Sequence, residues 1–401
     1  MRLIVQEHRA ANTVAIHLWA GVGGRDEVVG ERGFSHFAEH MLFKGTTTRP
    51  RGFVDREVEA VGGRTNAGTS NDYTFYYLLL PAVRALSGIG LMADMVLNSV
   101  FDPAELARER DVVFEEVRLN EDNPRSSLGR QLYNLLYDGH PYGRPVLGDV
   151  KDLRDATQET LRDYWARHYV PDNMTLVVVG PVDPAAVRAA TIEAFGSHPA
   201  AGYVRPAVGA PAPLDGVRRR SVDRPERQMQ LGFAWLAPPL GDPDMPAMDV
   251  LSHILGGSRS SRLNQALRER ARLVSSISGW YGALQGAGAF GVTAQLEGSD
   301  QEAVEKAIMA EIARVQSEGV TAEELARAIT ASEAEREFSR ETVEGLALAY
   351  GRAETTWTLE AERTYVDRIR AVSRDQVQQA AQRYLSASYA RLAFVPRGRA
   401  Q

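Results

Sequence analysis

Short apolar stretches and longer amphipathic stretches alternate along the chain. Apolar or alternating runs of strand length occur at residues 2–6, 13–20, 73–80 and 174–179. Apolar residues recur at helical spacing in residues 34–43, 53–61, 83–99, 103–121 and 157–168. Because a period of two is typical of strands and a period of 3.6 is typical of helices, this alternation predicts an α+β fold.

The same pattern begins again in the second half of the chain. Residues 320–327 (VTAEELAR) resemble residues 101–108 (FDPAELAR), and each stretch opens a predicted helix. Residues 197–225 are rich in proline, glycine and alanine, which is typical of a linker. The chain is therefore predicted to consist of two tandem homologous modules, at residues 1–205 and 215–401.

The composition of the chain narrows the classes of protein to which it can belong. Its 401 residues are enough for two or more domains, and 44% apolar with 24% charged residues is ordinary for a soluble protein. The net charge of −6 argues weakly against nucleic acid as a partner, and no apolar run approaches the ~18 residues of a membrane span. Because the chain has no cysteine, any metal ligands must be His, Asp or Glu.

The candidate chemistry lies in the first predicted helix, where His36, Glu39 and His40 stand in the order H-x-x-E-H. In a helix, His36 and His40 lie one turn apart on one face, so two imidazoles can share one metal ion. Glu39 lies on the same side and can reach a water molecule there. The alternative is a core helix whose histidines and glutamate have other buried partners, which would be costly. His17, in a predicted strand, is expected to be structural.

A third ligand is expected from the acidic helix predicted at residues 103–121. Glu109 and Glu116 are two turns apart on one face, and this face also carries Val112 and Val113. Acidic side chains on an apolar face need an explanation, because they are rarely buried without partners. A metal ligand together with a carboxylate that supports another ligand would explain the pair. The remaining acids of this helix fit a solvent-exposed face.

Five stretches of the chain carry recognisable motifs: residues 33–46 (GFSHFAEHMLFKGT), 66–70 (NAGTS), 109–116 (ERDVVFEE), 140–145 (HPYGRP) and 169–174 (YVPDNM). The H-x-x-E-H order in the first of them is the inverzincin motif. Together these motifs resemble the M16 peptidase family, which includes pitrilysin, insulysin and the mitochondrial processing peptidases. The chain is similar over essentially its whole length to the short, two-module subfamily.

The resemblance implies a fold for each module and a role for each matching residue. Each module is expected to be an antiparallel sheet flanked by helices. His36, His40 and Glu116 correspond to the ligands of one zinc ion per chain. Glu109 corresponds to a glutamate that supports a ligand, and Glu39 to the catalytic base. The implied substrate-binding residues are Phe37, Asn66, Ala67 and Arg268, of which Asn66 and Ala67 belong to an edge strand that receives the substrate as an added strand.

One position departs from the family pattern. Members of the family carry an arginine and a tyrosine in the second half that help to bind substrate near the zinc. Here Arg268 stands at the arginine position, but Ser275 stands at the tyrosine position and Tyr281 is out of register. The expected partner is therefore a related M16 subunit that supplies the arginine–tyrosine pair in a heterodimer. A homodimer is the alternative.

The function implied by the resemblance is hydrolysis of extended or unfolded peptides by a zinc endopeptidase inside a closed chamber. The long members of the family build this chamber from four modules, which is a second reason to expect a partner subunit. The alternatives are a scaffold subunit and a peptide-binding module with little turnover alone. Because relatives usually begin a few residues before the first strand, the chain is expected in the periplasm after trimming, with the cytoplasm as the alternative.

Overall fold

The structure is a computed structural model that describes residues 1–298 and 300–397. Contacts divide these residues into two compact units. The segments of unit 1 are Met1–Leu119, Arg144–Val208 and Glu337–Glu362, and those of unit 2 are Asn120–Gly143, Gly209–Arg336 and the described residues from Arg363 onward. Each unit therefore contains a segment from the opposite half of the sequence, whereas the modules predicted from the sequence are continuous ranges.

In the part of the chain that the structure describes, each unit contains one five-stranded sheet. The strands are β1 (Arg2–Glu7), β2 (Thr13–Ala20), β3 (Arg64–Thr69), β4 (Thr74–Pro81), β5 (Met174–Gly180), β6 (Arg218–Arg224), β7 (Met229–Ala237), β8 (Ser276–Ala283), β9 (Gly288–Leu296) and β10 (Ala390–Pro396). The strand order is β1-β5-β2-β4-β3 in unit 1 and β6-β10-β7-β9-β8 in unit 2. Because the two orders correspond strand for strand, the two units are copies of one topology.

The predicted α+β class is confirmed, and each sheet also contains one parallel pair of strands at its edge. In the first sheet, β5 pairs with β2, β2 with β4, and β4 with β3, all antiparallel. The edge strand β1, however, runs parallel to β5, as β6 does to β10 in the second sheet. A parallel neighbour requires a long crossover connection, and the helices between the first and last strands of each sheet provide it.

Helices occupy most of the remaining sequence. They are α1 (Phe34–Met41), α2 (Phe53–Glu59), α3 (Ala85–Leu97), α4 (Pro103–Asp122), α5 (Pro124–Leu136), α6 (Val150–Asp155), α7 (Gln158–His168), α8 (Pro184–Phe195), α9 (Met245–Gly256), α10 (Gln301–Glu318), α11 (Ala322–Ser339), α12 (Val343–Thr356), α13 (Leu359–Arg370) and α14 (Arg374–Tyr384). Asp102 caps the start of α4, since its carboxylate accepts the backbone N–H groups of Ala104 at 2.9 Å and Glu105 at 3.1 Å. No helix in residues 1–298 and 300–397 is long and apolar enough to cross a membrane.

The sheet of unit 1 is buried on both faces. Val14, Ile16 and Leu18 of β2 lie in the cluster that also contains apolar residues of α1 and α3. Ala15 and Trp19, which point to the other face, cluster with Val343 and Ala347 of α12. Burial on both faces explains why β2 reads as a continuous apolar run instead of an alternating one.

His17 lies on the face of β2 that α12 covers, and it has a structural environment. It is 1% exposed, and its ring stacks against Trp19, Phe75 and Tyr77 at centroid distances of 6.5, 6.3 and 5.3 Å. Burial lowers the pKa of His17 to about 3, so the ring is neutral at physiological pH. This environment agrees with the structural role predicted for this histidine.

The sheet of unit 2 receives the reciprocal contribution from the first half of the chain. Leu128 and Leu132 of α5 cluster with Leu392 and Phe394 of β10. A Cβ placed on Gly232 of β7 would lie 3.0 Å from the Leu132 side chain, so the helix packs closely on the strand. The linker prediction is corrected here: residues 197–225 are not all linker, because residues 218–224 form strand β6.

Candidate metal centre and edge strand

Helix α1 brings His36 and His40 together in unit 1. The two imidazole rings have their centroids 4.7 Å apart, and their Nε2 atoms are 3.3 Å apart. The apolar face of the helix anchors it, since Phe34 and Met41 lie in the core of unit 1. The site residues are therefore held on a regular element and do not depend on a loop.

Phe37 lies on this anchoring face, and its predicted substrate-binding role is corrected. Its exposure is 0%, and it belongs to the core cluster of unit 1. A side chain with no accessible surface offers nothing for a ligand to contact. Phe37 instead fixes the position of α1 under the two histidines.

The start of α1 is held by Glu27, a residue that the sequence interpretation missed. The Glu27 carboxylate accepts the backbone N–H groups of Gly33 at 2.7 Å and Ser35 at 2.8 Å, which are free donors at a helix N-terminus. Burial raises the pKa of Glu27 to about 8, although these two hydrogen bonds oppose the rise. Gly33 has a φ of 97°, and an added Cβ would lie 2.8 Å from Gly148 Cα, so glycine is required there.

Helix α4 adds Glu116 to the two histidines. Its Oε2 lies 3.4 Å from His36 Nε2 and 3.6 Å from His40 Nε2. One potential ligand atom from each residue lies within 4.8 Å of the others. The structure thus brings together the three ligands that the sequence predicts, and the neighbouring Glu115 instead pairs with Arg118 at 3.3 Å.

These three atoms fit a tetrahedral metal ion better than they fit hydrogen bonds. Ligand atoms about 2.0–2.2 Å from a tetrahedral zinc ion lie roughly 3.3–3.5 Å from one another. The observed separations are 3.3, 3.4 and 3.6 Å. Hydrogen bonds to ring nitrogen are usually about 2.7–3.2 Å long, and a single shared proton could not satisfy three acceptors. The donor set of two imidazoles and one carboxylate is also suited to zinc.

Glu109 orients His40 from the side opposite to this site. Its Oε2 lies 3.2 Å from His40 Nδ1, and its Oε1 lies 2.7 Å from Lys44 Nζ. Burial alone would raise the pKa of Glu109, but the contacts with His40 and Lys44 outweigh it and hold the pKa below its usual value. An ionised Glu109 accepts the Nδ1 proton of His40, which leaves the Nε2 lone pair facing the site.

The surroundings of His36 act on its charge. Burial, together with the neighbouring His40, lowers the pKa of His36 to about 3. The ring is therefore neutral at physiological pH, which is the form in which histidine binds a metal. Glu109 thus sets the tautomer of His40, whereas burial keeps His36 neutral, and His36 Nδ1 has no hydrogen-bond partner among the described residues.

Glu39 lies beside this group and is bound by Thr69. The Thr69 hydroxyl donates to Glu39 Oε2 at 2.6 Å. Burial raises the pKa of Glu39, while the hydrogen bond from Thr69 and the proximity of His40 act in the opposite direction. Thr69 belongs to the motif at residues 66–70, but the sequence interpretation gave it no contact with Glu39. The pairing depends on how β3 lies beside α1.

Strand β3 is an edge strand of unit 1, as predicted. Asn66 is exposed and Ala67 is half-buried. The backbone N–H of Ala67 donates to the side-chain oxygen of its neighbour Asn66 at 2.9 Å. The outer side of β3 therefore offers backbone groups to an added strand, with the Asn66 side chain covering one of them.

Arg268 and its surroundings belong to unit 2. Arg268 lies in a π-helix, Asn264–Arg270. The backbone N–H of Ser275 donates to Gln295 O at 2.8 Å, where β8 approaches β9. The Tyr281 hydroxyl donates to Pro238 O at 2.6 Å, and burial raises the pKa of this phenol. Tyr281 is thus engaged within its own unit, and the substrate-binding role of Arg268 stays a prediction.

The chain is similar to known proteins over most of its length. Residues 2–150 match the family profile described as Insulinase (Peptidase family M16), and residues 155–332 match that described as Peptidase M16 inactive domain. The uncharacterized zinc protease YmxG of Bacillus subtilis is 31% identical, over 81% of this chain and 78% of its own length. An uncharacterized zinc protease of Mycobacterium bovis is 33% identical, over 69% of this chain and 64% of its own length. The crystal structure of a protease from Helicobacter pylori has a TM-score of 0.92 at 25% identity, covering 98% of this chain and 97% of that chain.

Proposed function

The chain belongs to the M16 family of zinc proteases, and on this basis we propose that it is a zinc-dependent endopeptidase that cleaves extended peptides. The observation that carries the proposal is the convergence of His36, His40 and Glu116, with Glu39 beside them. Three protein ligands leave the fourth position of a tetrahedral ion for water or substrate, which is typical of catalytic zinc.

The residues around this site have complementary roles in peptide hydrolysis. Zinc bound by His36, His40 and Glu116 would polarise the scissile carbonyl and lower the pKa of a water molecule. Glu39 removes a proton as the water oxygen adds to the carbonyl carbon. Glu39 then delivers this proton to the nitrogen as the carbon–nitrogen bond breaks, so the leaving group departs as an amine. Glu109 keeps His40 in the tautomer that binds the metal.

The proposed substrate binds as an additional strand along β3. The free edge at Asn66 and Ala67 supports this mode, because backbone groups of an extended peptide can pair with those of an edge strand. The Asn66 side chain would release the Ala67 N–H when a peptide binds. Pairing through the backbone tolerates many sequences, so we expect broad specificity for unfolded peptides and little cleavage of rigid folded proteins.

A second, related subunit is part of the proposal. Its basis is the serine at position 275, where the family pattern has a tyrosine. A subunit that retains the arginine–tyrosine pair would provide the missing donor to a substrate carbonyl and help to enclose the peptide. An active homodimer is the alternative arrangement.

The proposal is tested with the purified 401-residue chain, with and without a related subunit encoded nearby. Zinc is measured per chain, and cleavage is followed with a set of fluorogenic unstructured peptides. We expect about one zinc per chain and peptide cleavage that a Glu39→Gln substitution abolishes without removing zinc. The substitution should reduce turnover by about 10²–10⁴-fold, the range for losing general acid–base catalysis.

Two results would contradict the proposed function. If the wild-type chain contained no zinc, the proposed metal centre would be refuted. Full zinc content with tight peptide binding and no cleavage, with or without the related subunit, would instead identify a peptide-binding subunit.

A further inference from the structure

Thr69 connects the edge strand to the carboxylate of Glu39. It is the last residue of β3, and its hydroxyl donates to Glu39 Oε2 at 2.6 Å. No other hydrogen bond to the Glu39 carboxylate is made by the described residues. One oxygen of Glu39 is therefore held by Thr69, and the other is left to exchange a proton.

The position of the Thr69 hydroxyl is itself determined by the sheet. Thr69 pairs with Thr74 of β4 across the hairpin, and the two hydroxyl oxygens are 3.5 Å apart. Thr74 is fully buried and donates to Val22 O at 3.0 Å. The hairpin is closed by the Ser70 N–H, which donates to Tyr73 O at 2.8 Å. The donor that holds Glu39 is thus attached to a rigid part of unit 1.

We propose that Thr69 is a positioning residue that holds the Glu39 carboxylate for proton transfer and couples its placement to the strand that receives the peptide. This inference rests on the proposed function, because Glu39 is the base only if the protein is a peptidase. A peptide added along β3 would order the backbone at Thr69. The same residue that borders the peptide would then keep the base in place while the bond is cleaved.

The test compares substitutions that differ only in the hydroxyl. Thr69→Val removes the donor and keeps the shape, and Thr69→Ser retains the donor. Thr191→Val is the matched control, because the Thr191 hydroxyl also donates a hydrogen bond within unit 1, to Val187 O at 2.8 Å inside α8, and Thr191 lies outside β3 and the metal centre. Each variant is assayed for zinc per chain, kcat and KM, and the crystal structures of wild type and the Thr69→Val variant are compared for the Glu39 side chain.

We expect Thr69→Val to lower kcat by about 10- to 100-fold, the scale of misplacing a catalytic group by about 1 Å. KM and zinc content should stay within about twofold, because the substitution removes neither the strand edge nor a ligand. Thr69→Ser should retain most of the activity, and Thr191→Val should match wild type. In the crystal structure of Thr69→Val, Glu39 should leave its wild-type position.

Different results would refute the proposed function and the positioning role of Thr69. Wild type that binds zinc but cleaves no peptide, with or without the related subunit, would refute the proposed function, and the crystal structures would then decide the Thr69 contact alone. Unchanged kcat in an active Thr69→Val enzyme would overturn the positioning role. An unmoved Glu39 in that variant, or an equal loss of kcat in Thr191→Val, would overturn it as well.

Discussion

A substitution at Gly351 tests how the second half of the chain packs into unit 1. Gly351 lies in α12, which covers the sheet of that unit. A Cβ added to Gly351 would lie 1.9 Å from Trp19 Nε1, 2.3 Å from Cε2 and 2.4 Å from Cδ1. The Gly351→Ala substitution therefore places a methyl group inside the volume of the indole ring.

The size of the effect follows from the surroundings of Trp19. Ordinary carbon contacts are about 3.5–4.0 Å, so the overlap exceeds roughly 1 Å. The indole cannot withdraw, because it is fully buried and stacks on Phe75 with a centroid distance of 4.7 Å. Overpacking of this kind costs about 1–3 kcal/mol, and replacing glycine by alanine inside a helix returns up to about 1 kcal/mol. Because the approach of 1.9 Å puts the overpacking cost at the upper end of its range, subtracting the full helix gain leaves an expected net loss of about 2 kcal/mol in the free energy of unfolding of unit 1.

The assay is urea unfolding followed by circular dichroism, with Gly90→Ala as the matched control. Gly90 lies inside α3 of the same unit, and a Cβ added there would meet no atom within 4 Å. The control should therefore raise the free energy of unfolding by up to about 1 kcal/mol. If Gly351→Ala proved as stable as Gly90→Ala, α12 would not pack on Trp19 as described, and the exchange of segments between the halves would be in doubt.

Three further predictions concern the metal centre, the buried histidine and the partner. Glu116→Gln should sharply lower zinc occupancy, and Glu109→Gln should weaken zinc binding by about 10–100-fold, as measured by competition with a chelator. Full zinc content in the Glu116→Gln protein would exclude Glu116 as a ligand. His17 has a pKa of about 3 in the folded chain, against 6.5 in the unfolded chain. Between these two pH values only the unfolded chain binds a proton at His17, so the free energy of unfolding is retained above pH 6.5 and falls as the pH is lowered from 6.5 towards 3. A His17→Phe variant should therefore lose roughly 2–3 kcal/mol less of its unfolding free energy than wild type between pH 7 and pH 4.5, and equal losses in urea titrations would contradict this account. The chain purified alone should cleave peptides weakly and gain activity when a related subunit with the arginine–tyrosine pair is added; strong activity that the subunit leaves unchanged would favour the homodimer.

The sequence by itself determined the local parts of the site. The positions of His36 and His40 on one face follow from the helical period, and so do those of Glu109 and Glu116 on α4. The apolar run at residues 13–20 likewise indicated a strand. These inferences needed only the spacing of residues along one element.

The tertiary structure decided which elements meet. It brought Glu116 to 3.4 Å from His36 and Thr69 to Glu39, pairs whose members lie in different elements. It also placed Phe37 in the core, because helical spacing shows which residues share a face but not which neighbour that face will meet. A strand with two apolar faces needs an element packed on each face. The sequence of the strand does not say which amphipathic helix packs on the second face. Shape selects the helix, as where Gly351 of α12 leaves room for the indole of Trp19.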